Sequence, residues 1–540
     1  MRAGVDEVKP LIAAETHWWA RPIALGGPAK RAEYLPLVVP IILFGVSLYI
    51  PPMIFLDSEI GFLALRSMLE GGAFNCITVA DPANIADDIA KFLTWWSPGQ
   101  YLVPGLFIWL GTSYGVAVSL TTLIATLIGV AGWIQVARSF AVSSVVLFVF
   151  VFGLSTFPYV TNRFLMYWGG EVLLFAAAPW SLYAMRWAAN KPPLLCFAVS
   201  LLSAAVLFFV KLTGLIVFAA NVAAISVLAL ASQRRLGASI IAMWVASTIA
   251  ALCFMAFWVA RGAVPAGGST FSFSWFPILF SMTAVAFSGI YGLALVLGHP
   301  WMQVNFQWTT ELLAPIGLLL MVWVWLRLRY TRYHDMTALL LAIILLYALI
   351  VAAAMYVSGT DIAFDERYYR YPGILFFLLL LTALDRYRQQ LAKGLLLSIV
   401  IVLGLYGLRN YTTFAYGQMR ASYYDPMAGI SLDRGKEVSP PILEYLRSEV
   451  ARHKSQRPAA LMRSPGAFIS LPQFRILYPS RVWMGNLDGS KWGGRVDKIF
   501  VVLSEEVGED DAELILRSFT DYDFDKWGYI KLDRMIIYTQ

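Results

Sequence analysis

Apolar runs long enough to cross a lipid bilayer recur through most of this chain, and that recurrence sets its class before any motif is read. The first, from Tyr34 to Phe55, contains no charged residue; a transmembrane helix needs about twenty mostly apolar residues. Hydrophobic residues make up 59% of the chain and charged residues only 14%, far less charge than a soluble domain carries. Strand-like alternation does not dominate, which argues against a membrane β-barrel. The expected fold is mostly α: a polytopic membrane helical bundle of about eleven spans, with a small C-terminal α/β soluble domain.

The net charge of +7 points to orientation rather than to nucleic acid, because much of the Lys and Arg sits in short loops between spans and such loops stay cytoplasmic. The N-terminal segment 1–34 is polar and carries Arg21, Lys30 and Arg31, so it reads as a cytoplasmic segment ahead of an uncleaved anchor. Spans are expected at about 35–56, 115–137, 141–159, 171–187, 194–210, 213–231, 237–258, 310–326, 336–357, 372–384 and 394–409. The apolar stretch 276–298 is expected to lie at or dip into the outer surface, since a full crossing there would put the Arg327-to-Arg332 cluster outside. These assignments give a multi-pass membrane protein with its N-terminus cytoplasmic and its C-terminal domain outside; the expected location is a bacterial inner membrane, with that domain periplasmic. The three cysteines, Cys76, Cys196 and Cys253, show neither metal spacing nor a disulfide framework.

Two stretches break the apolar rhythm. Residues 57–114 form a large outer loop with expected interfacial helices, and its Trp95-Trp96-Ser97-Pro98-Gly99-Gln100-Tyr101 segment has the aromatics that favour the headgroup depth. From 411 to 540 the composition turns soluble, with a helix expected from Ile442 to Ala451, strands at Ala459–Met462 and Lys498–Leu503, a helix from Asp510 to Phe519, and strands or a hairpin over Tyr529–Tyr538. The acids Asp57 and Glu59 stand at the outer end of the first span. Ionisable groups at membrane depth are costly unless paired or hydrated, so they usually mark function.

The order of motifs resembles the GT-C superfamily of integral-membrane glycosyltransferases, in particular the protein O-mannosyltransferase and lipid A aminoarabinose transferase branch. The resemblance rests on Asp57-Ser58-Glu59 followed by Ala64-Leu65-Arg66-Ser67-Met68-Leu69-Glu70-Gly71-Gly72, on Trp96 to Tyr101 and the apolar half-helix ending at Gly111, on Glu171 opening the fourth span, on Lys211 before the sixth, and on Arg370-Tyr371-Pro372 before a late span. Ser58 separates two acids that relatives carry side by side, and Ser97 stands where they carry a lysine before proline.

The resemblance implies transfer of a sugar from a polyprenyl-phosphate donor to a glycan, lipid or protein acceptor at the outer face, with inversion. Such chemistry needs a base for the acceptor hydroxyl, cations for the leaving phosphate and exclusion of water. Asp57 is the expected base, with Glu59 and Glu171 as further catalytic acids. Lys211, Arg367, Arg370 and Arg66 are the expected phosphate ligands, and Trp95, Trp96, Tyr101 and Tyr369 the expected substrate-lining aromatics. Structural roles stand beside these: Asp57 as a helix cap, Lys211 snorkelling to the interface, and Arg367 or Arg370 pairing with Asp365 or Glu366. No cofactor is expected to be required, although Asp57, Glu59 and Glu171 offer hard oxygen ligands to a divalent ion. Rival functions are a transporter or flippase of lipid-linked glycan and a non-catalytic membrane assembly protein. The absence of an internal repeat and the gathering of polar groups at one face weigh against a transporter.

Overall fold

The computed structural model of the protein describes residues 31–94, 96–233, 236–261, 274–288, 306–358, 366–386, 390–433, 439–452, 457–462, 465–477 and 491–540. The first apolar run ends sooner than expected. A 3-10 turn, Arg31–Leu37, leads into α1, Val38–Ser47, which stops ahead of Pro51-Pro52. Proline lacks an amide donor and pushes the preceding residue out of helical geometry. A two-residue strand, β1 (Met53–Ile54), then hands the chain to α2, Leu56–Leu69.

The loop that follows is a folded unit. After α2 come strands β2, Cys76–Asp81, and β3, Asn84–Phe92, paired as an antiparallel hairpin, then helix α3, Gly99–Trp109. The hairpin is not among the sequence expectations. Asp87, Asp88 and Lys91 interrupt the apolar alternation on β3 that would have signalled it.

The membrane bundle begins with α4, Tyr114–Arg138. It continues through α5, Ser144–Thr156, and α6, Pro158–Thr161. Phe157 is extended before Pro158, and α5 and the segment to Phe164 meet at 49°. After strand β4, Met166–Tyr167, come α7, Gly170–Ala188, α8, Pro193–Val210, α9, Gly214–Gln233, α10, Ala238–Phe257, and α11, Phe276–Phe287. The later helices are α12, Phe306–Leu328, α13, His334–Ser358, α14, Arg370–Asp385, and α15, Gln390–Ala421.

Among the described residues, six helices (α4, α8, α9, α10, α12 and α13) are long and apolar enough to cross a membrane, or seven if the bent segment from α5 counts as one. Helix α7 carries Glu171, Pro179 and Arg186 and lies alongside α4. Gly129 meets Phe175, Gly132 meets Pro179, and Arg186 reaches Ser139, so the two helices run parallel. That direction agrees with the alternation of spans expected from the basic loops. Helix α11 is 12 residues long, too short to cross, and buries Phe280, Ser281 and Thr283. The remainder of the 276–298 stretch lies outside the described residues. Helix α15 has 32 residues, roughly 48 Å at 1.5 Å per residue, and runs past residue 411 to Ala421.

Beyond α15 a short hairpin, β5 (Ser422–Asp425) and β6 (Ile430–Asp433), precedes α16, Pro440–Arg452. Strands β7 (Ala459–Met462), β8 (Arg475–Leu477), β9 (Ile499–Ser504), β10 (Gly528–Leu532) and β11 (Met535–Thr539) form one sheet in the order β10-β11-β9-β7-β8. Strand β7 is parallel to both β8 and β9, and the β9-β11-β10 side is antiparallel. Helix α17, Glu509–Arg517, places Ile515 and Leu516 in a core shared with Leu461, Trp492 and Val501. Ala80 and Ile85 of the first-loop hairpin belong to that same core, so the loop and the C-terminal domain are packed as one unit.

Candidate active site

Four separate stretches meet at one place in the bundle. The first is the start of α2. Its entry residue Phe55 is extended and offers no side-chain cap, so Asp57 sits inside the first turn and is not the cap. The Phe55 amide donates to the Tyr167 carbonyl at 3.0 Å, β1 runs parallel to β4, and the Phe55 ring stacks on Trp168 at 4.4 Å. The second stretch is the turn into α7. Gly169 has φ +55 there, and a Cβ on it would lie 2.5 Å from Ser58 Oγ, so only glycine lets this turn close against α2. Together these contacts set the first turn of α2 beside Glu171. The backbone of Asp57 is placed by them; its side chain lies outside the described residues.

Glu171 stands in the first turn of α7 and is only 5% exposed. Its carboxylate is ion-paired with Lys211 Nζ, which comes from the third stretch. Lys211 is extended, with φ −164 and ψ 138, and breaks the chain between α8 and α9. Its ammonium also lies 4.8 Å from the centre of the Tyr368 ring. The fourth stretch is the 3-10 turn Glu366–Tyr369 and the start of α14. Arg367 lies 5.2 Å from the ring centres of both Phe55 and Trp168, and Arg370 lies 5.7 Å from Tyr159. A guanidinium over an aromatic face is held by the ring quadrupole.

Of these groups, Glu171, Arg367, Tyr368 and Arg370 line a cavity holding about 330 Å³ of empty space, the solvent at its mouth included, and Lys211 is tied to it through its pair with Glu171. Arg163, Glu171, Arg367 and Arg370 are its charged lining; Trp133, Leu174, Phe175, Ala178 and Ile374 form an apolar wall, with Tyr368 and Tyr371 between. Arg163 is absent from the sequence-predicted set. It sits in the 3-10 turn Asn162–Phe164, is 2% exposed, and lies 5.1 Å from the Phe175 ring centre and 5.7 Å from that of Tyr159. Its Nε and Nη1 have no hydrogen-bond partner among the described residues. An unsatisfied buried guanidinium is costly, and an anion in the cavity would supply the acceptor. The signal was present in the sequence: an arginine between two apolar runs, close ahead of Glu171, has the same setting as Lys211.

The other predicted site residues lie elsewhere. Glu59 is 3% exposed, and its Oε2 accepts from the Gly466 amide at 3.0 Å, toward the C-terminal domain. Arg66 is likewise turned away from the cavity, toward the carbonyls of Phe468 and Phe474 at 3.1 Å each, Leu471 at 3.5 Å and Pro472. Its Nε bonds Glu70 at 2.9 Å. Tyr101 is buried and donates to Asn75 at 2.6 Å, which orders the first loop. Tyr369 is buried against Ser281, with the two hydroxyls 2.6 Å apart, and Tyr368 is the tyrosine of that pair at the cavity. Trp96 is half-buried against the main core, and Trp95 lies outside the described residues. Of the acids offered as metal ligands, Glu59 is engaged by Gly466 and Glu171 by Lys211, and among the described residues no three His, Cys, Asp or Glu side chains gather as a metal site.

No protein-family model matches the chain, and no curated protein matches it in sequence. Solved structures match its fold. ArnT from Cupriavidus metallidurans bound to undecaprenyl phosphate aligns with 94% of this chain and 97% of its own at 14% identity and TM-score 0.51. ArnT in the apo state aligns over the same shares at 13% identity and TM-score 0.52. The oligosaccharyltransferase of Archaeoglobus fulgidus covers 89% of this chain and 71% of its own at 11% identity and TM-score 0.47. The chain therefore shares the fold of ArnT over nearly its whole length.

Proposed function

We propose that this protein is a membrane glycosyltransferase that moves a sugar from a polyprenyl-phosphate donor to an acceptor hydroxyl, working at the outer face of a bacterial inner membrane. The N-terminal segment is then cytoplasmic and the C-terminal domain periplasmic, in keeping with the basic loops. The observation that carries this reading is the cavity that Arg163, Arg367 and Arg370 line together with Glu171, whose carboxylate is paired with Lys211. Basic donors over an apolar wall suit a lipid phosphate, and ArnT, which shares the fold, was solved with undecaprenyl phosphate bound.

In this mechanism Asp57 takes the proton of the acceptor hydroxyl as its oxygen attacks the anomeric carbon. The bond from that carbon to the phosphate oxygen breaks, and the electron pair leaves with the polyprenyl phosphate. Lys211, Arg367, Arg370 and Arg163 stabilise the charge that develops there. Attack from the face opposite the leaving group inverts the anomeric centre. Glu171 holds Lys211 in place for the phosphate. The leaving group is already an anionic phosphate, so protonation of its oxygen by an acid is less necessary.

Purified protein given a polyprenyl-phosphate donor with a radiolabelled sugar should transfer the label to an envelope acceptor. D57N should lower that transfer by about 10²- to 10⁴-fold, the usual worth of a positioned general base. Unchanged transfer in D57N would remove Asp57 from the role. Wild-type protein that binds the donor but transfers nothing would remove the enzymatic reading.

A further inference from the structure

We propose that the C-terminal domain is a positioning element for the transfer: it grips α2 from end to end and so sets where that helix's first turn, with Asp57, stands against the Trp168–Gly169 turn that leads to Glu171. The inference rests on the reading of Asp57 as the base. Just ahead of α2, the Pro51 carbonyl accepts from Gln418 Nε2 at 3.0 Å and from Ser431 Oγ at 2.6 Å, and the Pro52 carbonyl accepts from the Ser431 amide at 3.2 Å. In the first turn, Glu59 accepts from the Gly466 amide. At the far end, Arg66 is held by carbonyls of residues 468–474, and Glu70 by Arg457 at 2.9 Å.

A second set of ties fixes the loop that α2 opens. The Gly493 amide donates to the Pro82 carbonyl at 2.8 Å, and the Ile85 amide donates to the Gly493 carbonyl at 2.9 Å. Arg475 pairs with Asp88 at 3.3 Å. Every one of these partners on the far side follows residue 417 in the chain, so the catalytic end of the bundle is braced by the part of the sequence farthest from it. Displacement of a reacting group by about 1 Å can cost about 10²-fold in rate.

Gly466 makes the idea testable. A Cβ there would lie 2.5 Å from Glu59 Oε1, so G466A must push the carboxylate aside. E59Q keeps an oxygen that can accept from Gly466, whereas E59A does not. The full-length protein in detergent or nanodiscs should be read two ways: kcat and donor KM for sugar transfer, and backbone hydrogen exchange over residues 56–69. G466A and E59A should lower kcat by about 10- to 100-fold with little change in donor KM, and should speed exchange in the first turn of α2. E59Q should restore both readouts to near wild type. Loss of transfer in E59Q equal to that in E59A would overturn the proposal, because Glu59 would then act through its charge or proton. G466A with wild-type kcat and exchange would overturn it as well. Should the wild-type protein transfer no sugar, the donor reading falls, and hydrogen exchange alone decides the brace: faster α2 exchange in G466A upholds it, unchanged exchange overturns it.

Discussion

Arg66 and Arg163 are both buried arginines in the same protein, at 7% and 2% exposure, and their surroundings are opposite. Arg66 spends its donors on the carbonyls of residues 468–474 and on Glu70. Arg163 lies between the rings of Tyr159 and Phe175 with Nε and Nη1 unpartnered among the described residues. The difference separates an arginine that completes the fold from one left able to take a ligand. A guanidinium whose hydrogen bonds are complete inside the fold is part of the fold. One that faces a cavity with donors to spare is costly until a ligand arrives.

Replacing each arginine by methionine tests that contrast. R66M should have the larger effect on the folded protein, about 3 kcal/mol or more of stability, because it strands several buried carbonyls at once. A lower thermal midpoint and faster proteolytic release of the C-terminal domain would report it. R163M should act on binding instead. Its affinity for a polyprenyl phosphate should fall by about 10- to 100-fold, the worth of a charge-assisted hydrogen bond of ~1.5–3 kcal/mol. The thermal midpoint of the ligand-free protein should hold or rise, because an unpaired buried charge has been removed. A fall in midpoint as large as that of R66M would break the contrast.

The smallest effect concerns pH. Burial alone would raise the Glu70 carboxyl, but the hydrogen bonds and charges of Arg66, then Arg457, outweigh it and hold Glu70 below the usual range. A carboxyl depressed in the folded state contributes stability that is present above its unfolded value and is lost as pH falls through the folded one. Glu70 is partly exposed, so the contribution should be under about 1 kcal/mol. Faster hydrogen exchange near residues 66–70 in wild type below pH ~4, absent in E70Q, would identify the group.

The helical framework was largely legible in the chain, because lipid demands long apolar runs and leaves little freedom in how they fold. The ends of α4, α7, α8, α9 and α10 fall within a few residues of the expected spans. Strand β7 and the β10–β11 pair were equally readable from their patterning. The first-loop hairpin was not, since Asp87, Asp88 and Lys91 break its alternation, and Asp88 pairs with Arg475, hundreds of positions away. The same blindness affected the site. Lys211, Glu171, Arg367 and Arg370, which the structure brings near one another, stood out because a charge beside a membrane span is conspicuous. Arg66 and Glu59 carried that same signal, yet both reach to backbone groups of residues 466–474.

Residue order alone therefore determined that this protein crosses a membrane many times, which way its loops are biased, and which ionisable groups stand near its ends, because burial in lipid penalises each segment independently of the others. Tertiary structure decided which of those groups share a cavity and which hold two domains together. That choice depends on distances between segments remote in the chain, such as Arg163 and Arg370 at one wall or Arg66 and Phe474 at another, and a hydrogen bond has no meaning until both partners are in place.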